Sequence, residues 1–215
     1  MLRARAAVTL LAVATTWDRL SRRYDRQAWL ERAAIAAALD LLRPAPSERL
    51  LDVGTGTGAV LRELGRRAVR PEAATGVDAS AAMLARVPPL PAGWTTATAD
   101  ARALPFADGA FDVACAAYVL HVLPDADRPA ALGELRRVLA PGGRLITITP
   151  AVPDSGWARP LARSLDRLGA RRPERLCGLR ALDPRADLAR AGLAVASARW
   201  SLRGYPSLCV LARRP

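Results

Sequence analysis

Leu50-Leu51-Asp52-Val53-Gly54-Thr55-Gly56-Thr57-Gly58-Ala59-Val60-Leu61 decides the fold. Its first four residues read as a short strand buried on both faces, and its last three as the opening of a helix. Glycines at the alternate positions 54, 56 and 58 join the two. Without Cβ atoms they let a polar ligand approach N–H groups left exposed at the helix start, the outline of a nucleotide-type site. A Gly-x-Gly-x-Gly turn also serves as a plain strand-to-helix connection, so its meaning depends on what surrounds it.

Downstream the same rhythm repeats. A helix over 59–67 leads to a second strand, Ala74-Thr75-Gly76-Val77-Asp78, which ends in a carboxylate about twenty residues past the last glycine. At that spacing an acid in a doubly wound fold reaches the ribose hydroxyls of a nucleoside; the alternative is that Asp78 caps the helix over 81–86, a task for which Ser80 competes. Trp94 to Ala99 forms a third strand closing at Asp100, Phe111 to Tyr118 a fourth, and Arg144 to Thr149 a fifth. Between the last two, a helix carries Leu132, Leu135, Val138 and Leu139, and Pro141-Gly142-Gly143 is expected to stop it. Strands alternating with helices require a parallel sheet with right-handed crossovers, and a ligand then sits beyond the carboxyl ends of the strands.

Upstream, Trp29, Leu30, Ala33, Ala37, Ala38 and Leu41 predict a helix over about 26–42, ended by Pro44 and Pro46. Before it, residues 1–15 combine Arg3 and Arg5 with an alanine-rich apolar run, a pattern shared by a first amphipathic helix, the favoured reading, and a secretory signal. Beyond the fifth strand the rhythm breaks. From Pro150 to about Leu182 a Pro- and Arg-rich segment with Trp157, Leu161, Leu165 and Leu168 at helical spacing suggests a lid. A short helix from Asp183-Pro184 to Gly192 follows, then two β runs, 193–202 and 207–212, close an antiparallel hairpin.

The 215 residues suffice for one core. All 32 basic residues are arginine and the formal net charge is +12, which favours acidic partners, but the arginines are scattered with no run of five. That distribution describes a solvated surface better than a nucleic-acid face. Cys115, Cys177 and Cys209 lack CxxC spacing and His121 is the single histidine, so neither a disulfide framework nor a metal site is expected, and a reducing cytoplasm fits.

Five ordered stretches, LLDVGTGTG, GVDAS with Met83, TADARALPFADGAFD, YVLHVLPD and ELRRVLAPGGRL, resemble the class I S-adenosylmethionine-dependent methyltransferases. The likeness is to the branch that holds quinone-biosynthesis and natural-product enzymes with a type 11 domain, and it covers about 17–149. The resemblance implies a doubly wound, Rossmann-like α/β sheet of seven strands, mostly parallel, whose last two form the C-terminal antiparallel hairpin. It implies N-terminal helices over 1–45 covering the active site, and a cofactor domain over 46–215 with its lid at about 150–182.

Position by position, the family pattern puts Asp52, Gly54, Gly56 and Gly58 at the amino-acid end of the cofactor and Asp78 on the ribose. Ala79 and Met83 would flank the adenine, Asp100 would accept from its amino group with the backbone of Ala101 close by, and Ala116 would offer its carbonyl to the cofactor's amino group. Tyr24 would cover the methionine moiety, and His121 is a tentative base. The expected activity is methyl transfer from S-adenosylmethionine to carbon or oxygen of a small quinone-like acceptor by a monomer or homodimer, leaving S-adenosylhomocysteine. Alternatives are an RNA methyltransferase and a non-catalytic cofactor-binding subunit. A nicotinamide dehydrogenase, loosely matched by Gly54, Gly56 and Ala59, gives Asp100 no role.

Overall fold

The computed structural model describes residues 28–171 and 179–215. In chain order it runs α1 (Ala28–Leu42), β1 (Arg49–Val53), α2 (Ala59–Gly65), β2 (Ala73–Asp78), α3 (Ala81–Leu84), β3 (Trp94–Thr98) and β4 (Phe111–Ala117). Then come α4 (Arg128–Val138), β5 (Leu139–Pro150), α5 (Ala158–Arg171), α6 (Arg185–Arg190), β6 (Ala194–Ser201) and β7 (Ser207–Arg213). The seven strands form one sheet in the order β3-β2-β1-β4-β5-β7-β6. Strands β1 to β5 are parallel, and β7 is antiparallel to both β5 and β6. This is the doubly wound α/β sheet, mostly parallel with a C-terminal antiparallel pair, that the alternation of elements predicts.

The continuous apolar character of the central strands has its explanation in helices on both faces. On one face Leu50, Val113, Cys115, Ile146 and Ile148 pack against Ile35 and Leu39 of α1 and Leu61 and Leu64 of α2. On the other, Leu51, Val53, Ala114 and Ala116 pack against Leu132, Leu135 and Val138 of α4 and Leu188 of α6. Period-two alternation along β1 thus feeds two cores. Helix α1 is tied to the sheet's far side by Arg144 at the start of the regular part of β5. Its Nε donates to the Leu42 carbonyl at 3.2 Å and its Nη2 to Glu48 at 2.8 Å, so a cation meets the carbonyl end of a helix.

One boundary differs from expectation. Strand β5 begins at Leu139, directly after α4, so Pro141-Gly142-Gly143 is not a loop between helix and strand. The three residues lie within a register irregularity, where β4 pairing passes from Phe111 with Leu139 to Val113 with Arg144. The bulge is closed by the chain's other end: Gly142 N–H donates to the Arg214 carbonyl and Arg214 N–H to the Gly143 carbonyl, both at 2.9 Å. Sequence alone could not show that partner, which lies about seventy residues away.

The segment after β5 holds a regular helix, α5. Its apolar spacing does not mark a core face: Ala158 and Ala162 are buried, whereas Trp157, Leu161 and Leu168 are 73%, 48% and 46% exposed. Among the described residues, no helix is long and apolar enough to cross a membrane.

Candidate functional site

At the carboxyl ends of β1, β2 and β4 a cleft opens to solvent, the place where an open α/β sheet binds its ligand. Its walls include Gly54 and Gly56 from the glycine turn, Asp78, Ala79 and Met83 after β2, and Asp100 and Ala101 after β3. The turn reaches this position because Gly54 adopts φ +69°, and a Cβ there would stand 2.7 Å from Val119 Cβ.

The backbone of the turn is more self-contained than its sequence suggests. Gly54 and Thr55 N–H groups both donate to the Val77 carbonyl, at 2.8 and 3.0 Å, and Gly58 N–H donates to the Thr55 carbonyl at 2.8 Å. Gly56 N–H donates to Asp78 Oδ2 at 2.9 Å. The expectation of exposed N–H groups awaiting a ligand is therefore corrected for these four residues, whose donors are spent within the protein. A pyrophosphate needs such donors, and these four are not available to it.

Asp78 is not the cap of the following helix. Ser80 takes that role, its Oγ accepting from Met83 N–H at 3.1 Å. The carboxylate of Asp78 instead bridges the turn and the next loop, with Oδ1 accepting from Ser80 N–H at 2.9 Å.

Asp52 lies beneath the turn rather than on the cleft wall. It is fully buried, and among the described residues neither of its carboxylate oxygens has a hydrogen-bond partner; the buried hydroxyls of Thr55 and Thr57 in the turn are likewise unpartnered there. Burial pushes its pKa up to about 7; the nearby Thr55 hydroxyl pulls it back without forming a well-made hydrogen bond, and Asp78 adds to the rise. An orphaned buried acid beside a cleft is suited to a cationic donor.

Asp100, at the far end, carries a bidentate pair with Arg102, at 3.0 Å to Nε and 2.8 Å to Nη2. Arg102 also reaches Asp127 at 2.9 Å. Burial works to raise the Asp100 pKa, but the Arg102 guanidinium and N–H outweigh it and hold the carboxyl below the usual range. The loop that follows is clamped from α4. Glu134 accepts from Leu104 N–H at 2.7 Å, while Arg137 donates to the Phe106 and Leu104 carbonyls at 2.7 and 3.0 Å.

Besides Asp52, three expected positions fall outside the lining. Ala116 is wholly buried inside β4, and the strand's cleft residues are Ala117 and, beyond its end, Tyr118 and Val119, because the expected position stops short of the strand's end. Gly58 is absent from the lining because its α-carbon faces Val87. His121 is also absent from the lining and packs edge-on against Tyr118, ring centroids 6.1 Å apart. Burial, with Arg180 nearby, lowers its pKa to about 3, and Nδ1 has no hydrogen-bond partner. Tyr24 and Cys177 lie outside the described residues; Cys115 and Cys209 are buried and free.

Arg102, Tyr118, Val119, Val122, Leu123 and Asp127 complete the lining. None stood out by residue type, although Tyr118 to Leu123 belong to a quoted stretch, YVLHVLPD. Tyr118 is a non-glycine residue at φ +55°, held by a 2.8 Å bond from its N–H to the Ile148 carbonyl and a 2.8 Å contact between its hydroxyl and Ser207 Oγ.

The family profile described as a methyltransferase domain matches residues 50–143, from β1 through the bulge of β5. Over these residues the chain is similar to the class I S-adenosylmethionine-dependent methyltransferases. Among curated methyltransferases, the demethylmenaquinone methyltransferase of Thermus thermophilus is 42% identical over 123 residues, 55% of this chain and 54% of the relative. A malonyl-[acyl-carrier protein] O-methyltransferase of Halorhodospira halophila is 36% identical over 143 residues, covering 64% of this chain and 47% of its own. The chain thus spans about half the length of these two relatives. A solved S-adenosylmethionine-dependent methyltransferase from Mesorhizobium loti superposes with a TM-score of 0.62 at 23% identity, over 83% of this chain and 96% of the other, a likeness of fold.

Proposed function

We propose that this methyltransferase binds S-adenosylmethionine in the cleft between the glycine turn and Asp100 and methylates a small, quinone-like acceptor. The supporting observation is the turn itself, whose Gly54, Thr55, Gly56 and Gly58 N–H groups are spent internally while an unpaired carboxyl, Asp52, lies beneath it. That suits a nucleoside with a cationic amino-acid tail better than one with phosphates. In this reading Asp52 faces the charge of the tail, Asp78 accepts from the ribose hydroxyls, Ala79, Met83 and Ala101 enclose the base, and Asp100 accepts from its amino group.

The bound cofactor supplies a methyl group on a sulfonium, which leaves as a neutral thioether without help from an acid. The chain's task is alignment and exclusion of water. Tyr118, Val119, Val122 and Leu123 give the cleft an apolar wall for that purpose. With a pKa of about 3 and a place off the lining, His121 is a poor base, so the acceptor brings its own acidity, as a phenol or hydroquinone does. The relatives named as demethylmenaquinone methyltransferases support this acceptor class. Residues 1–45 and 150–182 are assigned to covering the acceptor.

Calorimetry with S-adenosylhomocysteine should show binding that Asp78→Ala abolishes; full affinity in the variant would refute the site. Transfer of labelled methyl from the cofactor to a short-chain demethylated naphthoquinol should then be detectable. Transfer only to RNA or to a malonyl carrier would replace the acceptor while leaving the cofactor site standing.

A further inference from the structure

We propose that α5 is a docking helix for an anionic lipid surface. Two stripes share its solvent side. Trp157, the residue before the helix, and Leu161 and Leu168 on it recur at helical spacing and are 73%, 48% and 46% exposed, an unusual density of large apolar groups along one short stretch. Arg163, Arg167 and Arg171, spaced by four, are also exposed and form a neighbouring basic row. The one acid in the helix, Asp166, is turned away, its Oδ1 accepting from Ala181 N–H at 2.7 Å. An apolar stripe bordered by a cationic one, with no opposing acid, is the arrangement of a helix lying in a membrane interface, with tryptophan and leucine among the acyl chains and arginines at the headgroups.

Charge chooses among the possible occupants. Residues 1–27 carry six arginines and two aspartates, and a second copy of the chain carries +12, so each would bring like charge to the arginine row. Nucleic acid satisfies the arginines but offers nothing to two leucines. A lipid surface satisfies both stripes at once. The inference stands apart from the identity of the methyl acceptor, since it uses no residue of the cleft.

The test is co-sedimentation of the full chain with vesicles of phosphatidylcholine mixed with phosphatidylglycerol, and with phosphatidylcholine alone. Binding is expected to the mixed vesicles, weakened by salt. It should fall about tenfold or more in a Trp157→Ser/Leu161→Ser/Leu168→Ser variant and in an Arg163→Gln/Arg167→Gln/Arg171→Gln variant. Unchanged S-adenosylhomocysteine affinity and far-ultraviolet circular dichroism would certify that both variants are folded. Quenching of tryptophan fluorescence by brominated lipid should drop in Trp157→Phe. Failure to sediment with either vesicle, or equal sedimentation of wild type and both variants, would overturn the proposal. So would a wild-type dimer in light scattering that the apolar variant dissolves, or a cross-link showing residues 1–27 on the stripe.

Discussion

Around the glycine turn the N–H groups of Gly54, Thr55, Gly56 and Gly58 each end on an acceptor inside the protein, whereas along α5 the largest apolar side chains end in solvent. The first region is held by backbone hydrogen bonds between elements adjacent in the sheet, so little in it can move without breaking several at once. The second rests on the body through Ala158 and Ala162, small side chains that bury little area. A pinned turn and a lightly seated helix give the molecule one preformed cleft wall and one outer face free to meet a partner.

The largest test of this contrast is Asp52→Asn. A carboxyl held near pKa 7 when folded and near 3.8 when unfolded binds more protons in the folded state between those values. Its penalty is absent below about pH 3.8, grows as pH rises and is complete above about 7, where it reaches up to about 4 kcal/mol. Thermal unfolding of the variant should therefore show a gain over wild type at pH 8 that vanishes at pH 4. A gain independent of pH would mean the burial of Asp52 is not the cause.

Gly54→Ala comes next. It places a Cβ 2.7 Å from Val119 at a left-handed backbone, so S-adenosylhomocysteine affinity should fall about a hundredfold, or roughly 3 kcal/mol. Adding Val119→Gly should restore part of it in calorimetry, which would separate the clash from the backbone strain.

His121 shifts in the opposite sense. Its folded pKa of about 3 lies below the ordinary 6.5, so the unfolded chain takes up the proton first and stability is lost as pH falls from 6.5 toward 3. His121→Phe should spare the protein about 2 kcal/mol of acid destabilisation between pH 7 and 5, read from denaturant midpoints. The smallest effect belongs to α5: Leu161→Ser should change stability by no more than about 0.5 kcal/mol, against about 2–5 for Leu135→Ala in the core. A large loss at Leu161 would show that the stripe is packed after all.

The same contrast decides what could be read from sequence. Strands β1 to β4 were legible because hydrophobic runs, glycines and terminal acids are local signals, and Asp78 and Asp100 arrive at the cleft by their place at strand ends. Local signals fail where the partner is remote. The Gly54, Thr55 and Gly56 donors of the turn end on Val77 and Asp78 of the next strand, and the Pro-Gly-Gly bulge closes on Arg214. His121 read as a base from its pKa in water, which burial then removes. In α5 helical spacing gave the helix but not which side of it is covered, because periodicity records a face and not its occupant.

The place of β7 bears on how the molecule is assembled. It is the last of the seven strands in sequence, yet it lies inside the sheet, bonded to β5 on one side and to β6 on the other. As the chain leaves the ribosome, β6 emerges with no edge to join until β7 has inserted, while β1 to β4 have every neighbour they need once β5 is made. The half of the sheet that bears the glycine turn can thus close during synthesis, and the β6 edge must wait for β7.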